Sequence, residues 1–241
     1  MGYGMLPMLL AADQDVDFSI HYLYAYQFMG QTVYITTSHI CILIICATIM
    51  LFSLVARRKI MHAEEIPTGF QNVIEFIVET IQGFVDSSMG QHGKKYMNYI
   101  GTLFLFILFS NISGLFGLRP PTADYGTTFA LALITFAMIQ YNNFKYNKIG
   151  AITGLFKPIW FLFPINLIGE IATPVSMSLR LFGNIMAGTV MMALYYGLLP
   201  IFVKIGIPSA LHVYFDLFSG AIQAYVFCML TMVFVTQKIE G

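Results

Sequence analysis

The chain has 241 residues, 58% of them hydrophobic and only 10% charged, with a formal net charge of zero. Soluble domains carry roughly a quarter charged residues, so this composition excludes a soluble protein and places the chain in a membrane. The balanced charge leaves no electrostatic footprint for nucleic acid, and the three cysteines, Cys41, Cys46 and Cys228, all sit in apolar segments and read as small hydrophobes.

In chain order, residues 1–32 read as an external N-terminal segment with no basic residue ahead of its apolar start, so a cleaved signal peptide is not expected. A membrane helix is predicted over 33–55 and an amphipathic surface helix over 67–90. Further membrane helices follow over 98–118, 127–143, 159–199 and 207–236. A bilayer core asks for about 20 helical residues, so the 127–143 stretch is short. The 159–199 stretch holds 41 residues, or ~62 Å of helix, about twice the hydrocarbon thickness. No turn signal separates Pro174 from Pro200, because Gly183 and Asn184 stand alone among helix formers. The stretch therefore reads as one long helix whose tilt a packing partner must hold. The fold class is an all-α polytopic membrane protein forming a single membrane domain, with about five membrane helices and one surface helix.

Basic residues set the orientation. None precedes Arg57, whereas Asp13, Asp15 and Asp17 do. Arg57, Arg58, Lys59, Lys94, Lys95, Lys145 and Lys148 all fall on one side; the opposite connections hold only Arg119 and Lys204. This asymmetry predicts the N-terminus outside and the 57–95 loop in the cytoplasm. With one crossing by 159–199, Lys238 and the C-terminus lie inside. Within the surface helix, Phe70, Val73, Ile74, Ile77, Ile81 and Phe84 recur at helical spacing, opposite Gln71, Glu75, Glu79, Gln82 and Asp86. An acidic polar face is not drawn to anionic lipid, so packing on protein is expected to hold this helix. Asp124, in the Arg119–Asp124 loop, is suited to cap the third membrane helix.

Two polar stripes carry the functional information. In 159–199, Asn166, Glu170, Thr173, Arg180 and Asn184 fall at offsets 0, 4, 7, 14 and 18, with Met177 at 11; in 207–236, His212, Asp216, Ser219 and Gln223 fall at 0, 4, 7 and 11. Such offsets line one face of an α-helix, and in hydrocarbon that face must meet another polar face or water. Arg180 is the most expensive member, because a guanidinium cannot shed its proton and costs ~3 kcal/mol or more at that depth. Pairing with Asp216 is one structural explanation for it; pairing with Glu170 is disfavoured by a separation of ~15 Å along one helix. Thr173, Ser176, Ser178 and Ser219 taken alone read as helix–helix glue. His212, near Pro208, fits a solvated side chain as well as a relay.

The run Ser178-Leu-Arg-Leu-Phe-Gly-Asn184, followed by Ala187-Gly188, resembles the signature of subunit a of bacterial F-type ATP synthases. So do Pro67–Asn72, Pro121–Asp124 and Gln223–Phe227, in the family's order over nearly the whole chain. The resemblance implies that the last two helices form a tilted hairpin against a rotating ring of c subunits, each with a membrane-buried carboxylate. It implies two aqueous half-channels separated by Arg180, with Asn184 beside a half-channel, Gln223 facing the arginine, and Glu170 at a channel mouth. Asp216, His212 and Ser219 complete the expected ion pathway. It implies H⁺ or Na⁺ as the transported ion, with no cofactor, metal or catalytic site expected in this chain. The implied partners are the c-ring, b-type peripheral stalk subunits, membrane lipid and the rest of the synthase, in a bacterial inner membrane. Three positions depart from the common pattern. Asp216 stands where some members have His and others an acid, Thr189 where some have a titratable partner for it, and Thr173 where many carry Lys or Arg.

Other membrane classes fit less well, an intramembrane protease among them, since no Gly-x-Ser-x-Gly pattern stands out. A haem-binding or respiratory membrane subunit needs His pairs on membrane helices, and only His39 and His212 qualify. A self-sufficient transporter is expected to show repeats and broken helices in both halves, but here the halves are dissimilar.

Overall fold

The computed structural model describes residues 22–28, 31–61, 69–148, 150–156, 160–198, 211 and 213–240. A short antiparallel hairpin opens the described chain, β1 (Tyr22–Phe28) with β2 (Gln31–Thr36). The first helix was expected from 33, but Val33–Thr36 pair with β1 instead, and α1 starts at Thr37. The reason is local: Val33, Tyr34, Ile35 and Thr36 are β-branched or aromatic, the residue types enriched in strands. α1 (Thr37–Met61) then runs past the expected end through Arg57 and Arg58, since Arg and Lys are good helix formers.

α2 (Phe70–Met89) is the amphipathic helix, and it packs on protein as expected. It buries Ile74, Val85 and Met89, stacks Phe84 on Tyr225 at 4.7 Å between centroids, and sets Ser88 Oγ 3.3 Å from Met229 Sδ. Phe70 and Val73, placed on its apolar face by periodicity, are exposed at 45% and 52%, so the helix leans on its C-terminal half. Gly90, at φ 52 and ψ −129, ends α2 in a conformation costly for any residue with a Cβ. α3 (Gly93–Ile112) follows after one 3₁₀ turn, so a long apolar run becomes two helices.

α4 (Tyr125–Asn147) is longer than predicted, with 23 residues. Asp124 does cap it, accepting a hydrogen bond from Gly126 N at 3.2 Å. Both ends escaped the hydropathy reading because the apolar run stops short of them: Gly126 opens the helix, and Lys145 and Asn147 lie in its last turn. The helix buries polar residues, Thr128, Thr135, Asn142 and Asn143 among them. Two of these are clasps to α3: Tyr96 donates to Asn142 Oδ1 at 2.5 Å, and the Tyr99 and Thr135 hydroxyls meet at 2.9 Å. Among the described residues, four helical stretches are long and apolar enough to cross a membrane, Thr37–Arg58, Phe70–Phe116, Trp160–Gly197 and Val213–Glu240. α4 misses that standard through its polar clasps, not its length, since 23 residues make ~35 Å of helix.

α5 (Phe163–Leu198) is one helix of 36 residues with Pro174 inside it, so the single-helix reading holds. It begins later than 159 because Trp160–Leu162 form a 3₁₀ turn. The last region opens as a π-helical segment, Val213–Ser219, and continues as α6 (Gly220–Glu240), which runs beyond 236. α6 is the hub: it packs against α2, α3, α4 and α5 and buries Ala224, Phe227, Cys228, Met232 and Val235. Those side chains meet Ile100 and Ile107 of α3, Ala132 and Ile139 of α4, and Met177 and Leu181 of α5 in one core. α1 is peripheral, with Cys41 and Ile45 its buried apolar residues and Leu43, Met50, Leu51 and Leu54 exposed. The three cysteines are free.

Candidate functional site

The α5–α6 pair makes two polar contacts, the first of them between the two stripes. Asn184 Nδ2 donates to Gln223 Oε1 at 2.6 Å. Lys238 Nζ forms an ion pair with Glu170 Oε1, and Gln140 Nε2 of α4 donates to Glu170 Oε2 at 2.6 Å. Glu170 precedes Asn184 by 14 residues on α5, while Lys238 follows Gln223 by 15 on α6. Steps that agree to within one residue, in opposite directions, fix an antiparallel register over ~21 Å. Arg180 lies between the two contacts, one turn from Asn184.

Arg180 is exposed, and among the described residues it has no hydrogen-bond or ion-pair partner. The intrachain pairings weighed from the sequence are therefore not made: Glu170 is taken by Lys238, and Asp216 does not reach the guanidinium. Leu181, next to it, is fully buried in the core, so the helix is anchored while the arginine points outward.

Asp216 and Ser219 lie in the π-helical segment. A π turn carries one more residue than an α turn, so the α-helical alignment of Asp216 and Ser219 with Gln223 is broken. A methyl placed on Gly114 would stand 3.5 Å from Asp216 Cγ, so Asp216 faces the end of α3 and its following turn. Phe215 instead touches Gly188 of α5, where an added methyl would meet Phe215 Cβ at 3.5 Å. Gln223 is 4% exposed and turned to Asn184. Asp216 and Gln223 therefore face different neighbours. His212 lies outside the described residues.

The helix-glue reading of the small hydroxyls needs correction for two of them. Thr173 Oγ1 donates to Gly169 O at 3.1 Å, and Ser178 Oγ to Val175 O at 2.9 Å. Each satisfies its hydroxyl within its own helix, the usual alternative for Ser and Thr in a helix interior.

A cavity of 890 Å³ opens beside Glu170, walled by α4, α5 and α6. Its lining is mixed, with Asn143, Asn147, Asn166, Thr173, Gln237 and Lys238 supplying the polar part beside Phe136 and Phe234. Asn147 Nδ2 donates to Asn143 Oδ1 and to Lys238 O, both at 3.0 Å, tying the end of α6 to α4. Sequence reading placed Glu170 at a channel mouth but missed Gln140 and Lys238 as its partners. The signal was available in the register, for an Asn184–Gln223 contact between antiparallel helices puts residue 237 or 238 opposite Glu170.

Comparison with known families decides the larger question. The model of the ATP synthase A chain matches residues 39–236, a span that takes in every described residue of both stripes. The chain belongs to the ATP synthase A chain family. Among its relatives, ATP synthase subunit a, sodium ion specific, of Propionigenium modestum is 45% identical over 67% of this chain. The chain spans 62% of that relative's length. ATP synthase subunit a 3 of Pelobacter propionicus is 36% identical over 82% of this chain and 85% of its own, and ATP synthase subunit a of Moorella thermoacetica is 35% identical over 73% and 79%. Family membership fits the architecture above, a polytopic helical membrane protein whose polar groups gather on its last two long helices.

Proposed function

We propose that this chain is the ion-translocating stator subunit of a rotary F-type ATP synthase, offering two aqueous half-channels to carboxylates of a c-ring, with Arg180 between them. The observation that carries the reading is Arg180 itself: a permanent charge exposed on a membrane helix, without a partner among the described residues, and flanked by two polar contacts. A carboxylate arriving beside it is held ionised, because a nearby positive charge favours the charged form. An ionised carboxylate cannot re-enter lipid, so it must take up a cation from one half-channel before moving on.

Roles follow from position. Asn184 and Gln223 fix the helix pair one turn from the arginine. Glu170, Thr173 and Asn166 line the cavity that serves as the cytoplasmic half-channel. Asp216, with Ser219 and His212, serves the outer one. The orientation is N-terminus outside and C-terminus in the cytoplasm of a bacterial cell membrane. The remaining partners are peripheral-stalk subunits and the rest of the synthase. The ion is H⁺, with Na⁺ as a second reading supported by the sodium-specific relative from Propionigenium modestum.

ATP-driven pumping by the complete synthase in liposomes tests both points. Cation uptake that collapses with a protonophore identifies H⁺. Uptake that needs Na⁺ and survives the protonophore identifies Na⁺. A complex that hydrolyses ATP with intact coupling subunits but moves neither cation contradicts the function.

A further inference from the structure

We propose that Lys238 is a tethered counter-cation: it occupies the Glu170 carboxylate at the cavity and competes there with the transported ion. The inference rests on the function proposed above and assigns a role to a residue outside both polar stripes. Glu170 has two carboxylate oxygens; Lys238 holds Oε1 and Gln140 holds Oε2. A cation moving along this wall meets a carboxylate already neutralised by the protein's own ammonium. The side chains of Lys238 and Glu170 are 29% and 23% exposed, so water reaches the pair and it can open.

Three features make this a built contact. Asn147 holds the backbone of Lys238 through its carbonyl, fixing the root of the side chain. Gln140 fixes the carboxylate from a third helix. The wall carries Asn143, Asn166 and Thr173, whose polar groups can take over solvation of an ion when the lysine swings away. Arg180 lies ten residues further along α5, ~15 Å distant, so Lys238 acts on access to the cavity and leaves the separation at Arg180 untouched. A compact, flexible ammonium suits such a role, because it exchanges partners more readily than a forked guanidinium.

The test uses the complete synthase in inside-out vesicles, reading ATP-driven pumping against the concentration of the transported cation, Na⁺ or H⁺, on the face where α6 ends. In Lys238→Met the half-saturating concentration should fall about fivefold, the upper size for a partly exposed ion pair. Dependence on the opposite face should stay unchanged, and Lys238→Arg should restore the native value or raise it. In a Glu170→Gln background, Lys238→Met should produce no further shift, which a merely structural role would not predict. If Lys238→Met reduces assembly, Lys238→Gln keeps length and hydrogen-bonding capacity without the charge, and should lower the half-saturating concentration by a similar factor. An unchanged half-saturating concentration, or an equal shift in both backgrounds, overturns the role of Lys238. Pumping retained after Arg180→Gln would instead overturn the function on which it rests, so the two failures are distinguishable.

Discussion

Replacing Arg180 with alanine in the complete synthase is expected to abolish coupled ion transport and ATP synthesis while the complex still assembles. The charge makes no contact within the described chain, so its removal breaks no ion pair and opens no core cavity. Packing at this level comes from Leu181, Met177 and Ser178, which are buried and remain. Function should fall completely, because two effects vanish together. Without the guanidinium a passing carboxylate is no longer held ionised, and no fixed charge repels a cation that crosses directly between the half-channels. Each ion moved through a 100 mV potential supplies ~2.3 kcal/mol, and that energy is wasted once ions cross without turning the rotor. Arg180→Lys should also fail largely, since lysine can lose its proton in a low-dielectric site and arginine cannot. Coupled synthesis is the readout, with co-purified subunits as the assembly control.

Gly220→Ala should damage the fold instead. Gly220 is buried at the first turn of α6, and a methyl there would stand 2.7 Å from Asn111 Cβ. Asn111 has no room to yield. Its Nδ2 donates to Gly220 O at 2.9 Å, and its Oδ1 accepts from Thr122 Oγ1 at 2.7 Å. The methyl must push α6 away from α3 and from the loop that leads into α4. Overpacking of this kind costs ~1–3 kcal/mol, and a strained buried hydrogen bond adds ~1 kcal/mol or more. The helix-propensity gain of Gly→Ala, ~0.5–1 kcal/mol, does not offset that. Gly197→Ala on α5 is the control, since nothing lies within 4 Å of the added methyl. Thermal stability of the purified complex should drop for Gly220→Ala and hold for Gly197→Ala; equal stability would show that α3 and α6 are not locked through Asn111.

How far these features could be read from sequence depends on whether they are local. α5 was legible as one helix because its 36 residues carry no turn chemistry, and Pro174 is absorbed within it. The cap at Asp124 was legible because Asp followed by a helical run is a local signal. The ends of α4 were not, because the apolar run stops before Lys145 and Asn147 while the helix continues through them. Nor were its partners, because the Thr135 hydroxyl and Asn142 amide meet Tyr99 and Tyr96 of another helix. The hairpin ahead of α1 was missed for the opposite reason: Val33 and Ile35 are apolar enough to pass as membrane helix, and only pairing with β1 tells them apart.

The site divides the same way. The helical offsets put Asn184 and Gln223 on the polar faces of the two helices, but Gln223, expected to face Arg180, meets Asn184 instead. The alignment of Asp216 with Gln223 assumed a uniform α-helix, and the π turn at Val213–Ser219 redirects it toward Gly114. The Glu170–Lys238 pair depends on the register between two helices, which no single segment encodes. Arg180 was found because its cost in hydrocarbon is so high that position alone makes it informative.

The central claim is that Arg180 separates two water paths opening on opposite faces of the membrane. Single cysteines at Thr173, in the cavity wall, and at Ser219, in the π segment, test it in a complex whose Cys41, Cys46 and Cys228 have been replaced. Each is exposed to a membrane-impermeant thiol reagent from one face at a time. Thr173→Cys should react only from the cytoplasmic face and Ser219→Cys only from the outer face. Reaction of both from one face, or of either from both faces, would contradict two half-channels divided at Arg180.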